Sequence, residues 1–287
     1  CPRPTSMIAL DSVKHLKVLV MGDAIMDEYV YVKVIGKAVK ENALSALAGK
    51  RELFKGGVWA AAKHTANFCD HVDVWRGPMT MWNSRLVDDV YLRKLFVVHE
   101  LRENDEDSHQ HTIKDYDLVI VTDFGHGTMT RSLIERVSYE ARFLAVNTQT
   151  NSTNFGFNVI KKYPRADFVV LDELEARLAM HDNHSPLELV IEKLDYPCII
   201  VTRGTQGAIG YDGCFETVPA LTHSVIDTMG AGDAFFAVAA PFAAIGAKLK
   251  DVIRIGNAAG AVKVGIVGHR SSVTPHRIYE QLGIEDG

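Results

Sequence analysis

The sequence predicts an α/β fold with a mainly parallel central sheet, covered by helices on both faces, and an appendage. Three observations predict it. Short runs of β-branched and other apolar residues alternate with stretches of helical periodicity, as in strands joined by crossover helices. The chain of 287 residues is 47% hydrophobic and 23% charged, sufficient for a full core, and residues 1–287 are assigned to one domain. Glycine-bearing loops with an acid, Gly22-Asp23 and Gly230-Ala231-Gly232-Asp233, lie at the ends of elements, where open α/β sheets hold ligands.

Leu16 to Met21, Leu118 to Thr122, Phe143 to Asn147, Phe168 to Leu171 and Cys198 to Thr202 are the expected central strands, each an apolar run bounded by turn residues. Glu28 to Lys55 and Ser84 to Glu100 break the rhythm. The second of these carries Arg85 to Lys94, which reads as a ribbon with mixed faces. Gly56-Gly57 opens a helix with backbone bare enough for close ligand approach. The longest apolar stretch, Ala234 to Ala247, is 14 residues broken by Pro241 and Gly246, too short for a bilayer and suited to a core helix. No charged region followed by an apolar core opens the chain, so secretion is not indicated, and no membrane partner is expected. The four cysteines, Cys1, Cys69, Cys198 and Cys214, have no zinc or redox spacing and are too sparse for a disulfide framework, which fits a cytoplasmic protein. A net charge of −5 argues against a nucleic-acid partner, because phosphate backbones select basic faces.

Chemistry concentrates in Ile226 to Phe236. Gly230, Ala231 and Gly232 leave peptide N–H groups uncovered at the start of an apolar helix, an arrangement suited to phosphate. Asp233 at the mouth of that helix can take a proton from an attacking hydroxyl while the loop stabilises a transferring phosphoryl group. Asp23 and Asp27 follow the first strand, and a carboxylate there can accept two neighbouring hydroxyl protons. Asp123-Phe124-Gly125-His126-Gly127 forms a second acid-glycine loop at a strand end, and Asn147 follows the next strand in the same way. Asp172-Glu173-Leu174-Glu175 closes a strand and opens a helix. An N-cap with acids in the first turn explains these residues without a metal, and Asp172 and Glu175 are also suitable oxygen ligands for Mg2+. Thr202-Arg203-Gly204 follows a strand, and Arg203 can neutralise phosphate charge or lie on the surface. No Gly-x-x-x-x-Gly-Lys-Ser/Thr loop and no Gly-x-Ser-x-Gly elbow occurs.

Asp227-Thr228-Met229-Gly230-Ala231-Gly232-Asp233 resembles the second signature of the PfkB/ribokinase family of carbohydrate kinases. Gly22 to Asp27, Gly56-Gly57 and Val201-Thr202-Arg203-Gly204 ahead of Gly207 extend the resemblance along nearly the whole chain. Within the family the chain most resembles the kinase domain that phosphorylates heptose 7-phosphate on the way to nucleotide-activated heptose. The resemblance implies a ribokinase-like three-layer sandwich with a small β-sheet lid at about 28–55 and 84–100, which closes over the sugar and mediates homodimerisation. It makes Asp233 the catalytic base and Gly230, Ala231 and Gly232 the anion hole. Asp23, Asp27, Gly56, Gly57 and Asp123 become sugar-side residues. Thr202, Arg203, Gly204 and Asn257 become nucleotide-side residues, and Asp172 and Glu175 organise Mg2+, mostly through water. ATP and a sugar or sugar phosphate are the implied substrates, with a monovalent cation such as K+ near Gly268 to Ser272.

The chain departs from its relatives in three places. Trp59 and Ala60-Ala61 stand in the stretch after the paired glycines where many sugar kinases place a sugar-binding Asn, Asp172 replaces an Asn, and Arg76 to Asn83 is compressed. Lys63, Arg85, Arg93 and Lys94 are candidates for a distal phosphate of the acceptor. Trp59 or Trp82 can stack on an aromatic acceptor, which leaves open a nucleoside or other small-alcohol kinase of the same fold, and a sugar-phosphate- or nucleotide-binding regulatory protein is a further alternative. The chain begins Cys1-Pro2 without an initiating Met, which points to an excised domain, and heptose-type relatives carry a nucleotidyltransferase domain beyond this region.

Overall fold

A computed structural model describes residues 9–104, 111–221, 228–266 and 270–284. Ile226, Asp227 and Gly268, singled out above, lie outside the described residues. The first strand, β1 (Lys17–Lys37), starts as the expected apolar run. Val18 and Val20 are buried with one core cluster and Leu19 and Met21 with another, so this strand is covered on both faces. The same division recurs along β5 (Leu118–Asp123), β6 (Leu144–Thr148), β7 (Phe168–Asp172) and β8 (Ile199–Thr202). Ile120, Ala145, Val170 and Ile200 face one side, and Val121, Val146, Leu171 and Val201 face the other.

Helices α2 (Arg131–Glu140), α3 (Glu173–Met180) and α4 (Leu187–Leu194) cover the Leu19 side through Ile134, Ala176 and Val190. On the Val18 side lie α1 (Val58–Thr65), α5 (Ala231–Ala244), α6 (Leu249–Val264) and α7 (Pro275–Leu282). The result is a three-layer sandwich. Helix α5 is apolar almost all round, Ala234 to Phe242 being buried, because it packs on the sheet and on its helical neighbours together.

The remaining strands are β2 (Leu44–Gly57), β3 (His71–Asp88), β4 (Lys94–Glu103), β9 (Ala208–Tyr211) and β10 (Phe215–Val218). The ten-stranded sheet has the order β10-β9-β8-β7-β6-β5-β1-β3-β4, with β2 also paired to β1. Pairings from β3 through β1, β5, β6 and β7 to β8 are parallel, and β9 and β10 close one edge antiparallel. Parallel strands end on one edge of the sheet, which gathers Asp23, Asp123, Asn147, Asp172 and Thr202 there, and the order reverses between β5 and β1.

Beyond Gly22 the first strand does not turn into a helix. Ile25, Tyr29, Val30 and Val32 keep it extended, since β-branched and aromatic side chains fit a half-buried pleat. It pairs antiparallel with β2 from Ala24↔Gly57 to Lys37↔Leu44, and parallel with β3 as far as Val32↔Asp88. Strand β4 completes this extension by pairing with β3 from Met79↔Glu103 to Val87↔Lys94. Segments 28–55 and 84–100 fall inside it, but the extension starts earlier, at Ala24 and Met79.

Arg76 to Asn83, expected as a compressed loop, is the interior of β3, which links the core to the extension. The expected set of central strands omitted β3 because His71-Val72-Asp73-Val74 alternates polar and apolar residues instead of forming a continuous apolar run. Strands β9 and β10 escaped notice because Gly210 interrupts the first and Glu216-Thr217 the second, so neither is a continuous apolar run.

Gly57 joins β2 to α1 with φ +57° and ψ −133°, a region that side chains rarely enter. A Cβ there would also collide with the carbonyl oxygen of Asp23. Gly57→Ala is therefore expected to destabilise the fold by about 3 kcal/mol, measurable as a lower urea midpoint, while Gly213→Ala, whose Cβ would enter open space, bears only the backbone cost.

Candidate active site

A cavity of ≈ 480 Å³ opens at the C-terminal edge of the sheet. Asn147, Gln149, Asp172, Glu175, Thr202 and Gly204 line it from the ends of β6, β7 and β8, Gly230 to Asp233 from the start of α5, and Asn257 from α6. The volume suits a small-molecule ligand.

Gly230 caps α5 in the left-handed conformation, φ +72°, which turns the chain sharply into the helix. The N–H of Ala231 is directed to Thr228 O at 3.3 Å, so it closes the turn. Those of Gly232 and Asp233 belong to the first helical turn, which has no intrahelical acceptors, and point their positive end at the cavity. A Cβ on Gly232 would meet open space, so the wall is uncovered there.

Asp233 is 7% exposed and accepts a hydrogen bond from Gln149 Nε2. Gln149 also donates to Asn147 Oδ1 at 2.8 Å, and Asn147 donates to Val170 O at 2.8 Å, so a short polar chain runs from the sheet to the acid. Burial pushes the Asp233 carboxyl up to about 6, with the Gln149 bond and the Lys263 charge pulling down and the Asp27 charge pushing up. Lys263 is fully buried, and its Nζ donates to Met229 O at 2.7 Å, in the loop before α5. Sequence reasoning missed both Gln149 and Lys263. Gln149 carried only the signal of its neighbour Asn147; Lys263 was marked by being the one charge in the stretch Asn257 to Val264 of α6.

Asp172 and Glu175 form a capping box at the start of α3: Asp172 Oδ1 accepts from Glu175 N at 2.7 Å and Glu175 Oε2 accepts from Asp172 N at 2.9 Å. The other oxygen of Glu175 accepts from Thr150 N at 2.9 Å. Burial, then the charge of Asp172, raises the Glu175 carboxyl to about 8, with Asp233 adding to the repulsion. Three carboxylates thus share one cavity wall, a donor set suited to a hard cation. Among the described residues, no group of three or more His, Cys, Asp or Glu converges closely enough to hold a metal directly. The set fits Mg2+ held through its own waters.

Thr202, Gly204 and Asn257 line the same cavity, and the Asn257 amide donates to Val218 O and Pro219 O at 3.2 and 3.0 Å, fixing the segment beside it. Arg203 does not line it. Its Nε is 3.3 Å from Glu173 Oε2, because Glu173 opens α3 directly across from the β8 end.

The acids expected on the sugar side separate into two groups. Asp23 is buried with its oxygens accepting from the N–H groups of Phe124, His126 and Thr128 at 2.8, 3.3 and 3.3 Å, so it shapes the loop after β5. Asp123 is held by Tyr163 Oη and Lys162 Nζ, both at 2.6 Å. Neither acid lines the cavity, since loop backbone and these partners occupy their oxygens. His126 stacks on Phe124, and burial lowers its pKa against the pull of Asp23 and Asp123. Gly56 and Gly57 end β2 beside Ile25 and Ala24, and serve the turn into α1.

Asp27 has a different setting. Its Oδ1 accepts from Asn83 Nδ2 at 3.2 Å and from Arg85 Nε and Nη2 at 2.8 and 2.7 Å, and Asn83 Oδ1 lies 2.8 Å from His99 Nδ1. Asp27↔Asn83 and Asn83↔His99 are direct cross-strand pairs, so register alone sets this polar row across the extension. Tyr29 Oη, two residues on, donates to Met229 Sδ at 3.4 Å, which brings the same face against the loop before α5. Of the distal-phosphate candidates, Arg85 joins this row, Lys94 lies over the Tyr29 ring at 5.7 Å, Arg93 is exposed, and Lys63 lines a separate cavity.

Residues 99–277 match the profile described as pfkB family carbohydrate kinase. Among curated relatives, the bifunctional protein HldE of Wolinella succinogenes is 27% identical over 173 residues, covering 58% of this chain and 36% of that protein. The bifunctional protein HldE of Granulibacter bethesdensis is 30% identical over 165 residues, covering 52% of this chain and 33% of its own length. The matched region thus spans about a third of these relatives. Arabidopsis thaliana ribokinase, solved with ribose and ATP, superposes with a TM-score of 0.70 at 13% identity, covering 94% of this chain and 100% of that one. Methanocaldococcus jannaschii nucleoside kinase superposes at 0.67 and 14% identity, covering 94% and 99%. At these identities the superpositions establish a ribokinase-like fold.

Proposed function

From the premise that this chain belongs to the pfkB family of carbohydrate kinases, we propose that it transfers the γ-phosphoryl group of ATP to a hydroxyl of a sugar phosphate resembling heptose 7-phosphate. The observation that carries this reading is Asp233, buried at the start of α5, beside the N–H groups of the first helical turn and in one cavity with Asp172, Glu175, Thr202 and Asn257. The similarity to HldE proteins supports the heptose acceptor.

The nucleotide occupies the cavity between β7, β8 and α6, with its triphosphate toward α5. The acceptor lies under the extension, with Asp27 receiving its hydroxyl hydrogens, and the extension acts as a lid. Asp233 takes the proton of the attacking hydroxyl, whose oxygen bonds to the γ-phosphorus as the bond to the β-phosphate oxygen breaks and ADP leaves with that electron pair. The N–H groups of Gly232 and Asp233 stabilise the charge on the transferring group, and Lys263 holds the loop through Met229 O. Gln149 keeps the Asp233 carboxylate oriented. Asp172 and Glu175 would hold Mg2+, which would supply neutralisation of the phosphate charge.

A monovalent cation would need groups other than the side chains of Arg270, Ser271 and Ser272, which share a cavity with Lys55 and Lys63. Exposed Leu47, Phe96, Val98 and Leu101 on β2 and β4 support homodimerisation through the lid. The partial coverage of HldE proteins supports a nucleotidyltransferase domain as a partner of this one.

ADP release from ATP and Mg2+ with heptose 7-phosphate, fructose 6-phosphate, ribose and adenosine tests the reading. Turnover with the heptose phosphate in preference to the others is expected; turnover with adenosine alone would replace it with a nucleoside kinase. Glu175→Gln keeps a capping-box side chain at its position but cannot ionise beside a cation, and is expected to raise the Mg2+ concentration for half-maximal rate by roughly tenfold. An unaltered Mg2+ titration would remove Glu175 from the metal's surroundings.

A further inference from the structure

A second cavity, of ≈ 560 Å³, lies where β2, α1 and the segment 270–272 meet, and shares no lining residue with the cavity that holds Asp233. Among the described residues its charged lining is entirely cationic: Lys55 from β2, Lys63 from α1 and Arg270. In a chain with 36 acidic and 31 basic residues, a concavity with three cations and no carboxylate among its described lining residues is a local reversal of the overall balance.

Glu52 partly neutralises this group, since it accepts from Arg270 Nη2 at 2.7 Å, but it also accepts from Lys50 Nζ at 2.7 Å and Tyr31 Oη at 2.8 Å. One carboxylate shared between two cations leaves the group positive. Lys55 lies over the Trp59 ring at 5.5 Å, and Trp59 and Lys63, one helical turn apart, face the cavity together. Ser271 and Ser272 add hydroxyls, and His64 forms part of the buried floor, its Nδ1 accepting from Val273 N at 3.0 Å.

We propose that this cavity is an anion site for the phosphate group of a small metabolite, separate from the catalytic cavity. Two lysines suit a compact multivalent anion as point charges, and the arginine can donate to two of its oxygens. The bound phosphate bridges three parts of the chain, so it ties the strand that forms the edge of the extension to α1 and to the 270–272 segment. The proposal is independent of the kinase reading, because none of its residues enters that chemistry.

The test is titration calorimetry with inorganic phosphate at constant ionic strength, with saturating ADP and Mg2+ present to fill the catalytic cavity, and a second arm with a sugar phosphate. Saturable binding is expected, weakened roughly tenfold or more in Lys63→Gln/Arg270→Gln and unchanged in the remote control Lys114→Gln. Lys55→Gln, on a different element, is expected to weaken binding as well and guards against a folding defect in the double variant. Binding of phosphate itself in this pattern identifies the free ion as a sufficient ligand; binding of the sugar phosphate alone that is weakened in Lys63→Gln/Arg270→Gln identifies an ester, and sugar-phosphate binding that both variants retain belongs to the acceptor site and overturns the proposal. Equal affinity in the parent and in Lys63→Gln/Arg270→Gln, or no saturable binding of either probe to the parent, overturns the proposal.

Discussion

Asp233→Asn is expected to lower kcat by about 10³ or more while nucleotide affinity changes little, because asparagine preserves the shape of the site but cannot accept the hydroxyl proton. The measurement is ADP release under saturating substrates, with nucleotide binding followed by calorimetry on the same variant. A rate equal to that of the parent would remove Asp233 from the role of base. The pH profile follows from the same group. Burial holds its carboxyl at about 6, so kcat/KM is expected to climb through a single ionisation near pH 6 and level off above it. Stability runs the opposite way. The folded pKa lies above the ordinary value of 3.8, so the contribution of the protonated acid is complete below that value and is lost as pH rises through about 6. Asp233→Asn is therefore expected to unfold at a higher temperature than the parent above pH 7, with the two converging in acid.

Lys263→Met is the second change with a large expected effect. Methionine fills nearly the same volume, but Met229 O loses its donor and Asp233 loses a charge that lowers its pKa. The acid limb of the pH profile should move up by about one unit, and the rate at neutral pH should fall by about tenfold or more with partial recovery at high pH. Lys263→Arg keeps the charge and should keep the limb near that of the parent. A rate loss that is the same at every pH would mean that Lys263 acts only through the conformation of the loop.

The parts that were legible in the sequence are those whose physics is local. Central strands β1, β5, β6, β7 and β8 declared themselves because a strand buried on both faces must be apolar at every position. The loop before α5 was legible because a sharp turn into a helix needs glycine and leaves its first N–H groups facing outward. Strand β3 was not, because its alternating pattern acquires meaning only once β1 lies beside it along the whole length from Lys17↔His71 to Val32↔Asp88.

Asp23, Asp27 and Asp123 show the limit most clearly. Asp23 and Asp27 follow the apolar run Leu16 to Met21 and Asp123 ends β5, and all three are buried, so residue type and position give them the same reading. Their partners separate them: loop N–H groups for Asp23, Tyr163 and Lys162 for Asp123, and a cross-strand row with Asn83 and Arg85 for Asp27. Asp233 was identifiable from its own heptad of sequence, yet its pKa depends on Gln149, 84 residues earlier, and on Lys263 from another helix. Short-range sterics and hydrogen bonding are written in neighbouring residues, so strands, the phosphate-type loop and its acid can be read in chain order. Desolvation and the fields of distant charges exist only after the sheet and α6 have closed around that acid, so its ionisation and its partners were settled by packing.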